Sequence, residues 1–210
     1  MRGRRSRAPS AKGLAQPSDQ QGPRTGLQRR AKPLPRVKGF KESGHDRYVT
    51  DDEFHAVWQA ANQTLRNAMD LTLLTGQRPA DVLKMRRDDI RDGTLWVTQN
   101  KTGTKRAIAI IGELAQLLER MNARPRERLS AYLIQDDNGK PLGTIGVRSR
   151  FDKARSRAGV RDFQFRDIRA KTASDTGDLA HSQQLLGHKN REMTEHYVRE
   201  RIGNRVMPLR

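Results

Sequence analysis

The chain has 210 residues, room for one domain of ordinary size with extensions. Apolar residues make up 34% and charged residues 31%, which suffices for one modest core. The formal net charge is +18 and cysteine is absent, so a disulfide framework and a thiolate metal site are excluded. That balance points to a polyanionic partner, and nucleic acid is the commonest; ribosomal or other anionic-surface proteins share such a charge. No run of eighteen apolar residues predicts a membrane span, and no apolar stretch follows the basic start as in a secretory signal. A cysteine-free chain fits a reducing cytosol, so a cytoplasmic localisation is expected.

Residues 1–38 hold eleven Lys or Arg against the single acid Asp19, and no aromatic residue. Such a segment buries too little to offset its ordering entropy, so 1–47 reads as a basic, disordered stretch. It suits a DNA-grasping tail or simply an unordered end. Folded sequence is expected from Tyr48. Thr50-Asp51-Asp52-Glu53 reads as a capping box, followed by Phe54, Val57, Trp58 and Ala61 at helical spacing. A second helix is predicted from about Leu65 to Leu74, ended by Thr75-Gly76. Pro79 suits the first turn of a short third helix that runs to about Met85.

The pattern then changes. Thr94 to Thr98 and Arg106 to Ile111 have strand composition, and Lys101 to Lys105 forms the turn of a hairpin with a basic tip. Glu113 to Met121 reads as helix, and Tyr132 to Gln135 as a short third strand. Helices are predicted over about Ile145 to Ala158 and Phe165 to Thr176, then around Ser182–Leu186 and Glu192–Val198. The fold class is α+β, mainly helical, with one small antiparallel sheet.

The five histidines show no HExxH spacing, no glycine-rich loop cradles a phosphate, and Gly-x-Ser-x-Gly is absent. Arg166 and Arg169 lie three apart in Phe165-Arg166-Asp167-Ile168-Arg169 and would share a helix face. Two guanidiniums on one face repel unless an anion lies between them, and a phosphate matches their donors. A solvated basic face explains the same pair. Leu186-Gly187-His188 ends another helix, and Tyr197 follows nine residues after the histidine. Tyrosine at such a place is most often a packing residue.

Together these pieces resemble the tyrosine recombinase (phage integrase) family over about Tyr48 to Arg201. Leu74-Thr75-Gly76-Gln77-Arg78-Pro79-Ala80-Asp81 looks like the family's first box, which makes Arg78 the first catalytic arginine, with Asp81 at the acidic position that supports it. Lys101, in Asn100-Lys101-Thr102-Gly103, looks like the catalytic lysine. Arg166-Asp167-Ile168-Arg169 aligns with the second box, where histidine is commoner than Arg166. Leu186-Gly187-His188 and Tyr197 match the end of that box and the nucleophile.

The resemblance implies an integrase-type catalytic domain over 48–202, followed by a tail at 203–210; the family normally carries a helical core-binding domain before it, and the basic segment 1–47 is expected not to be one. It implies DNA breakage and rejoining through a 3′-phosphotyrosyl link, without metal, ATP or cofactor, with double-stranded DNA as partner and self-assembly on it as a tetramer. Arg78, Lys101, Arg166, Arg169, His188 and Tyr197 are the implied catalytic set. A free tyrosine has a pKa of about 10 and needs nearby positive charge or a base to attack at neutral pH. The competing readings are a truncated, inactive DNA-binding remnant of an integrase and a helix-turn-helix regulator, for which no convincing helix pair is found.

Overall fold

The computed structural model describes residues 47–123 and 130–198. The reading of the N-terminal segment as disordered, and of the tail at 203–210, falls outside the described residues.

The first helix starts where its capping box places it. In α1 (Asp51–Ala60) the Thr50 hydroxyl accepts from the Glu53 amide at 3.3 Å, and the Glu53 carboxylate accepts from the Thr50 amide at 3.1 Å. Two otherwise unpaired donors are thereby satisfied, and Phe54 and Val57 turn into the core. Asn62 caps α2 (Gln63–Thr75), which runs through the middle of the domain. Leu65, Ala68, Met69 and Leu71 are buried there, together with Thr72 and Thr75. The two threonine hydroxyls bond back to Ala68 O and Leu71 O, so polar residues sit inside the core without a desolvation penalty. Gly76 ends α2 in the left-handed region at φ 63°. A Cβ there would lie 3.3 Å from the side chains of Leu185, Leu186 and Thr172, so glycine answers both the backbone and the close approach.

Pro79 opens α3 (Pro79–Val82), shorter than expected because the chain relaxes into turns before Met85. A single 3₁₀ turn at Arg87–Asp89 leads into the sheet. Strands β1 (Ile90–Arg91), β2 (Thr94–Thr98) and β3 (Lys105–Ala109) pair antiparallel in that order, with Leu95 opposite both Ile90 and Ile108. Leu95 and Val97 point into the core, and Trp96 and Thr98 point out, as the two-residue period requires. The third strand is therefore Ile90–Arg91 and not Tyr132 to Gln135. Tyr132 makes one isolated bridge to Arg86, and Gln135 one to Pro141. Those residues are apolar because Leu133 and Ile134 plug the core from a loop, not because they extend a sheet.

Helix α4 (Gly112–Asn122) buries Leu114, Leu117, Leu118 and Met121, a single helical stripe. Helix α5 (Thr144–Arg157) buries Val147, Phe151 and Ala154 and leaves its arginines outside. Phe151 meets Phe163 edge-on at 5.0 Å and Phe165 at 5.5 Å between ring centres. This aromatic knot holds the turn that precedes α6 (Asp167–Asp175), and its loss in Phe151→Ala would cost about 3–5 kcal/mol. Helices α7 (Leu179–Leu186) and α8 (Arg191–Glu195) close the described part of the chain. Among the described residues no helix is long and apolar enough to cross a membrane.

The expectation for Arg166 needs correction. It stands at the N-cap of α6 with helical dihedrals and is exposed, whereas Arg169, three residues on, is 2% exposed, so the two do not present one open face. The Asp167 carboxylate accepts from the Gln164 amide at 2.8 Å and fixes the turn before α6.

Candidate active site

Three chain segments meet at the end of α2: the turn after Gly76, the hairpin between β2 and β3, and the α6–α8 region. Arg169 stands at their junction. Its Nη1 donates to Gly76 O, and its Nη2 donates to Leu186 O at 2.9 Å and meets His188 Nε2 at 3.0 Å. Its Nε–H is buried without a partner in the protein. Burial lowers the Arg169 pKa to about 10, aided by repulsion from Arg78 and opposed by Tyr197 and Asp81. At neutral pH it is still a full cation, held rigidly by carbonyl oxygens from two segments.

His188 is 5% exposed and follows Gly187, whose left-handed backbone (φ 72°) terminates α7. A guanidinium can only donate, so His188 Nε2 is the acceptor in that contact and carries no proton. The proton sits on Nδ1, which lies 3.1 Å from Thr194 Oγ1 on α8. Burial, then the charges of Arg169 and Arg78, push the His188 pKa down to about 4. His188 is therefore a neutral imidazole with one defined tautomer.

Tyr197 follows α8 and is partly exposed. Its ring centre is 5.0 Å from that of His188, and the Arg169 guanidinium lies 5.4 Å from the ring centre. Arg78 is half-buried just before α3, and its Nη1 approaches Gln99 Oε1 at 3.5 Å. Arg78, Arg169, His188 and Tyr197 thus form one cluster although Arg78 is 91 residues from Arg169 in sequence. Lys101 is exposed on the hairpin turn. Arg166, exposed at the start of α6, would reach a substrate only from the surface.

Asp81 plays a different part from the one expected of it. Its Oδ1 accepts from the Asn100 amide at 2.9 Å and from Asn100 Nδ2 at 2.7 Å, so it anchors the hairpin beside Lys101 rather than bonding Arg78. Sequence reasoning also missed Gln77 and Gln99, both fully buried and bonded to each other at 2.7 Å. A signal was present: Leu95, Val97 and Gln99 share one phase of β2, which put an amide where the alternation calls for an apolar residue. Thr194, the Nδ1 partner of His188, had no such signal.

A mainly helical domain with a small sheet, two arginines, a neutral histidine and a C-terminal tyrosine around one point has the layout of a tyrosine recombinase catalytic domain. The Phage integrase family model matches residues 47–202. The integrase of Escherichia phage HK022 is 34% identical over 165 residues, covering 71% of this chain and 46% of that protein. A lambda integrase dimer bound to a COC′ core site superposes with a TM-score of 0.69 at 29% identity, over 80% of this chain and 65% of that one. A lambda integrase tetramer bound to a Holliday junction gives 0.65 at 29% identity, over 76% of this chain and 50% of that one. The chain belongs to the phage integrase family. It spans about half the length of the curated relatives it matches.

Proposed function

We propose that this domain breaks and rejoins double-stranded DNA site-specifically through a covalent phosphotyrosyl intermediate. The observation that carries this reading is the convergence of Arg169, His188 and Tyr197 beside Arg78 in a partly buried cluster. Tyr197 Oη attacks the scissile phosphorus, a P–O bond to tyrosine forms, and the P–O bond to the 5′-oxygen breaks. Arg78 and Arg169 neutralise the nonbridging oxygens, where charge grows in the transition state, and their rigidity spares reorganisation at that moment. Lys101, free on the hairpin turn, gives its proton to the leaving 5′-oxygen. Arg166, on the surface nearby, supplies a further contact to the phosphate backbone and no general base.

The free protein keeps its base switched off. Arg169 occupies the His188 Nε2 lone pair, and two cations hold the imidazole far from protonation. A bound phosphate offsets both cations, so that Nε2 takes the Tyr197 proton while Arg169 keeps its bonds to Gly76 O and Leu186 O. Reversal of the steps, with a second 5′-hydroxyl attacking the phosphotyrosine, rejoins strands without ATP. Lambda integrase is seen as a tetramer on a Holliday junction, which supports the same assembly on DNA for this chain. Such a substrate places the activity in the cytoplasm, with the nucleoid.

The test is covalent trapping. The chain is mixed with a library of nicked duplexes whose central 30 or so base pairs are randomised, long enough for two inverted half-sites a few helical turns apart. Denaturant-resistant protein–DNA complexes are then recovered and sequenced. The expected result is an adduct on a defined subset of duplexes, lost in Tyr197→Phe while gel-shift binding persists. Binding of the wild-type chain with no adduct on any duplex overturns the reading and favours a DNA-binding domain without catalysis.

A further inference from the structure

One buried amide joins segments that carry the cluster. Gln99 Nε2 donates to Gln77 Oε1 at 2.7 Å and to Leu186 O at 2.8 Å. Its Oε1 accepts from Thr102 Oγ1 at 3.0 Å and from Arg78 Nη1 at 3.5 Å. The orientation of the amide admits no alternative, since a guanidinium only donates and a carbonyl only accepts. Gln77 is fixed likewise, because its Nε2 donates to Thr75 O at 2.9 Å and Leu185 O at 2.8 Å. The Gln99 main chain closes the turn that carries Lys101: Gly103 N donates to Gln99 O at 2.8 Å, and Gln99 N to Thr104 O at 2.9 Å. Leu186 O, the acceptor for Gln99, is also the acceptor for Arg169 and lies two residues before His188. Gly187 presses on the same amide: a Cβ there would come within 2.9 Å of Gln99 Nε2.

Only a primary amide fits this place. Methionine or leucine would leave Gln77 Oε1 without its Gln99 donor and Leu186 O with Arg169 alone, and glutamate would oppose Leu186 O with a second acceptor. A fully satisfied buried network of this kind fixes distances among its members more tightly than apolar packing does.

We propose that Gln99 is a positioning residue whose amide holds Arg78 and the Lys101 turn in register with the Arg169–His188 end, so that charge neutralisation and proton donation reach one phosphate together. The proposal rests on the phosphotyrosyl reading above.

The test compares two versions of a duplex recovered by trapping, one with the ordinary scissile 5′-oxygen and one with sulfur in that bridging position. On the sulfur duplex the Tyr197 Oη–P bond forms, the P–S bond breaks, and the electron pair leaves on sulfur as a thiolate. A thiolate needs no proton from Lys101, so misplacement of that lysine is forgiven. Gln99→Met at saturating oxygen duplex is expected to lose about 10²-fold in adduct rate, the cost of misplacing groups by around an ångström. At least a tenfold part of that loss should return on the sulfur duplex, with the remainder due to Arg78. Thr102→Val, at an exposed turn position, removes the side-chain link from Gln99 to the Lys101 turn and a longer contact with the Thr104 amide, and leaves the main-chain bonds of the turn in place. It should lose about tenfold on oxygen, as for one misaligned hydrogen bond, and nothing on sulfur. Equal losses on both duplexes, or no loss, overturn the proposal, and Thr102→Val decides if Gln99→Met fails to melt cooperatively. Hydrogen exchange of the DNA-free protein supplies the second readout. Gln99→Met should speed exchange at both Gly103 and Gly187–His188, and an unchanged rate at either place overturns the coupling. If the wild-type chain forms no adduct at all, the phosphotyrosyl reading fails, while the exchange measurement still judges the link that Gln99 makes.

Discussion

The two ends of the cluster are built differently. At one end Arg169 and His188 are buried, and main-chain carbonyls and Thr194 fix them. At the other, Lys101 and Arg166 are exposed on turns, and Tyr197 is partly open. The difference fits the work proposed for each. Charge stabilisation gains from a low dielectric and from donors that do not move. Proton donation and nucleophilic attack need groups that reach a substrate arriving from solvent. Fold stability and chemistry are therefore merged at the buried end and separate at the exposed end.

Substitutions can sharpen or break that contrast. Arg169→Ala should have the largest effect, since it strands Gly76 O, takes one of two donors from Leu186 O and removes the buried cation. We expect a loss of about 2–4 kcal/mol in thermal or urea unfolding, together with loss of adduct. An unchanged melting curve would show that the buried end is not structural. Next, Gly187→Ala meets both a left-handed backbone and the crowding of Arg106 and Gln99. It should cost roughly 1–3 kcal/mol by the same measurement. Lys101→Ala separates the two ends: adduct formation should fall about 10²–10³-fold while unfolding stays within about 0.5 kcal/mol of wild type.

The acid limb of stability is a subtler probe. His188 stays neutral in the fold down to about pH 4, whereas in the unfolded chain it takes a proton near its ordinary value of 6.5. Acid therefore favours the unfolded chain across that window, and stability should decline as pH falls from 6.5 toward 4. Melting curves of His188→Gln over the same range should show a shallower decline, and an identical slope would mean that other groups set it. The smallest effect belongs to Arg166→His, which places the family's commoner residue on an exposed turn. Stability should change by less than about 0.5 kcal/mol, and any gain in adduct rate should be severalfold at most.

Elements with a local cause were legible without coordinates. The capping box of α1, the glycine stop of α2, the stripe of α4 and the strand alternation of β2 each follow from neighbours in sequence. Tyr132 to Gln135 misled because an apolar run fits a loop that plugs a core as well as it fits a strand. Arg166 misled because a three-residue spacing does not say which residue is buried: Arg166 faces solvent at the N-cap of α6, and Arg169 is enclosed by the carbonyls of Gly76 and Leu186. The six candidate residues were recognisable as motif positions, yet no spacing brings Arg78 to Arg169.

By itself the sequence determined the basic character, the absence of thiol chemistry, the helix boundaries that caps and glycines mark, and the order of the family's motifs. The tertiary structure decided which arginine is buried, which nitrogen of His188 holds the proton, and that Asp81 holds the hairpin. It also placed Gln77 and Gln99 at the centre. Local signals act through the backbone of adjacent residues, and a chain carries them wherever it goes. Burial and hydrogen bonding between segments arise only when distant parts exclude water together, so desolvation, tautomer and charge coupling exist in the fold and nowhere in the one-dimensional chain.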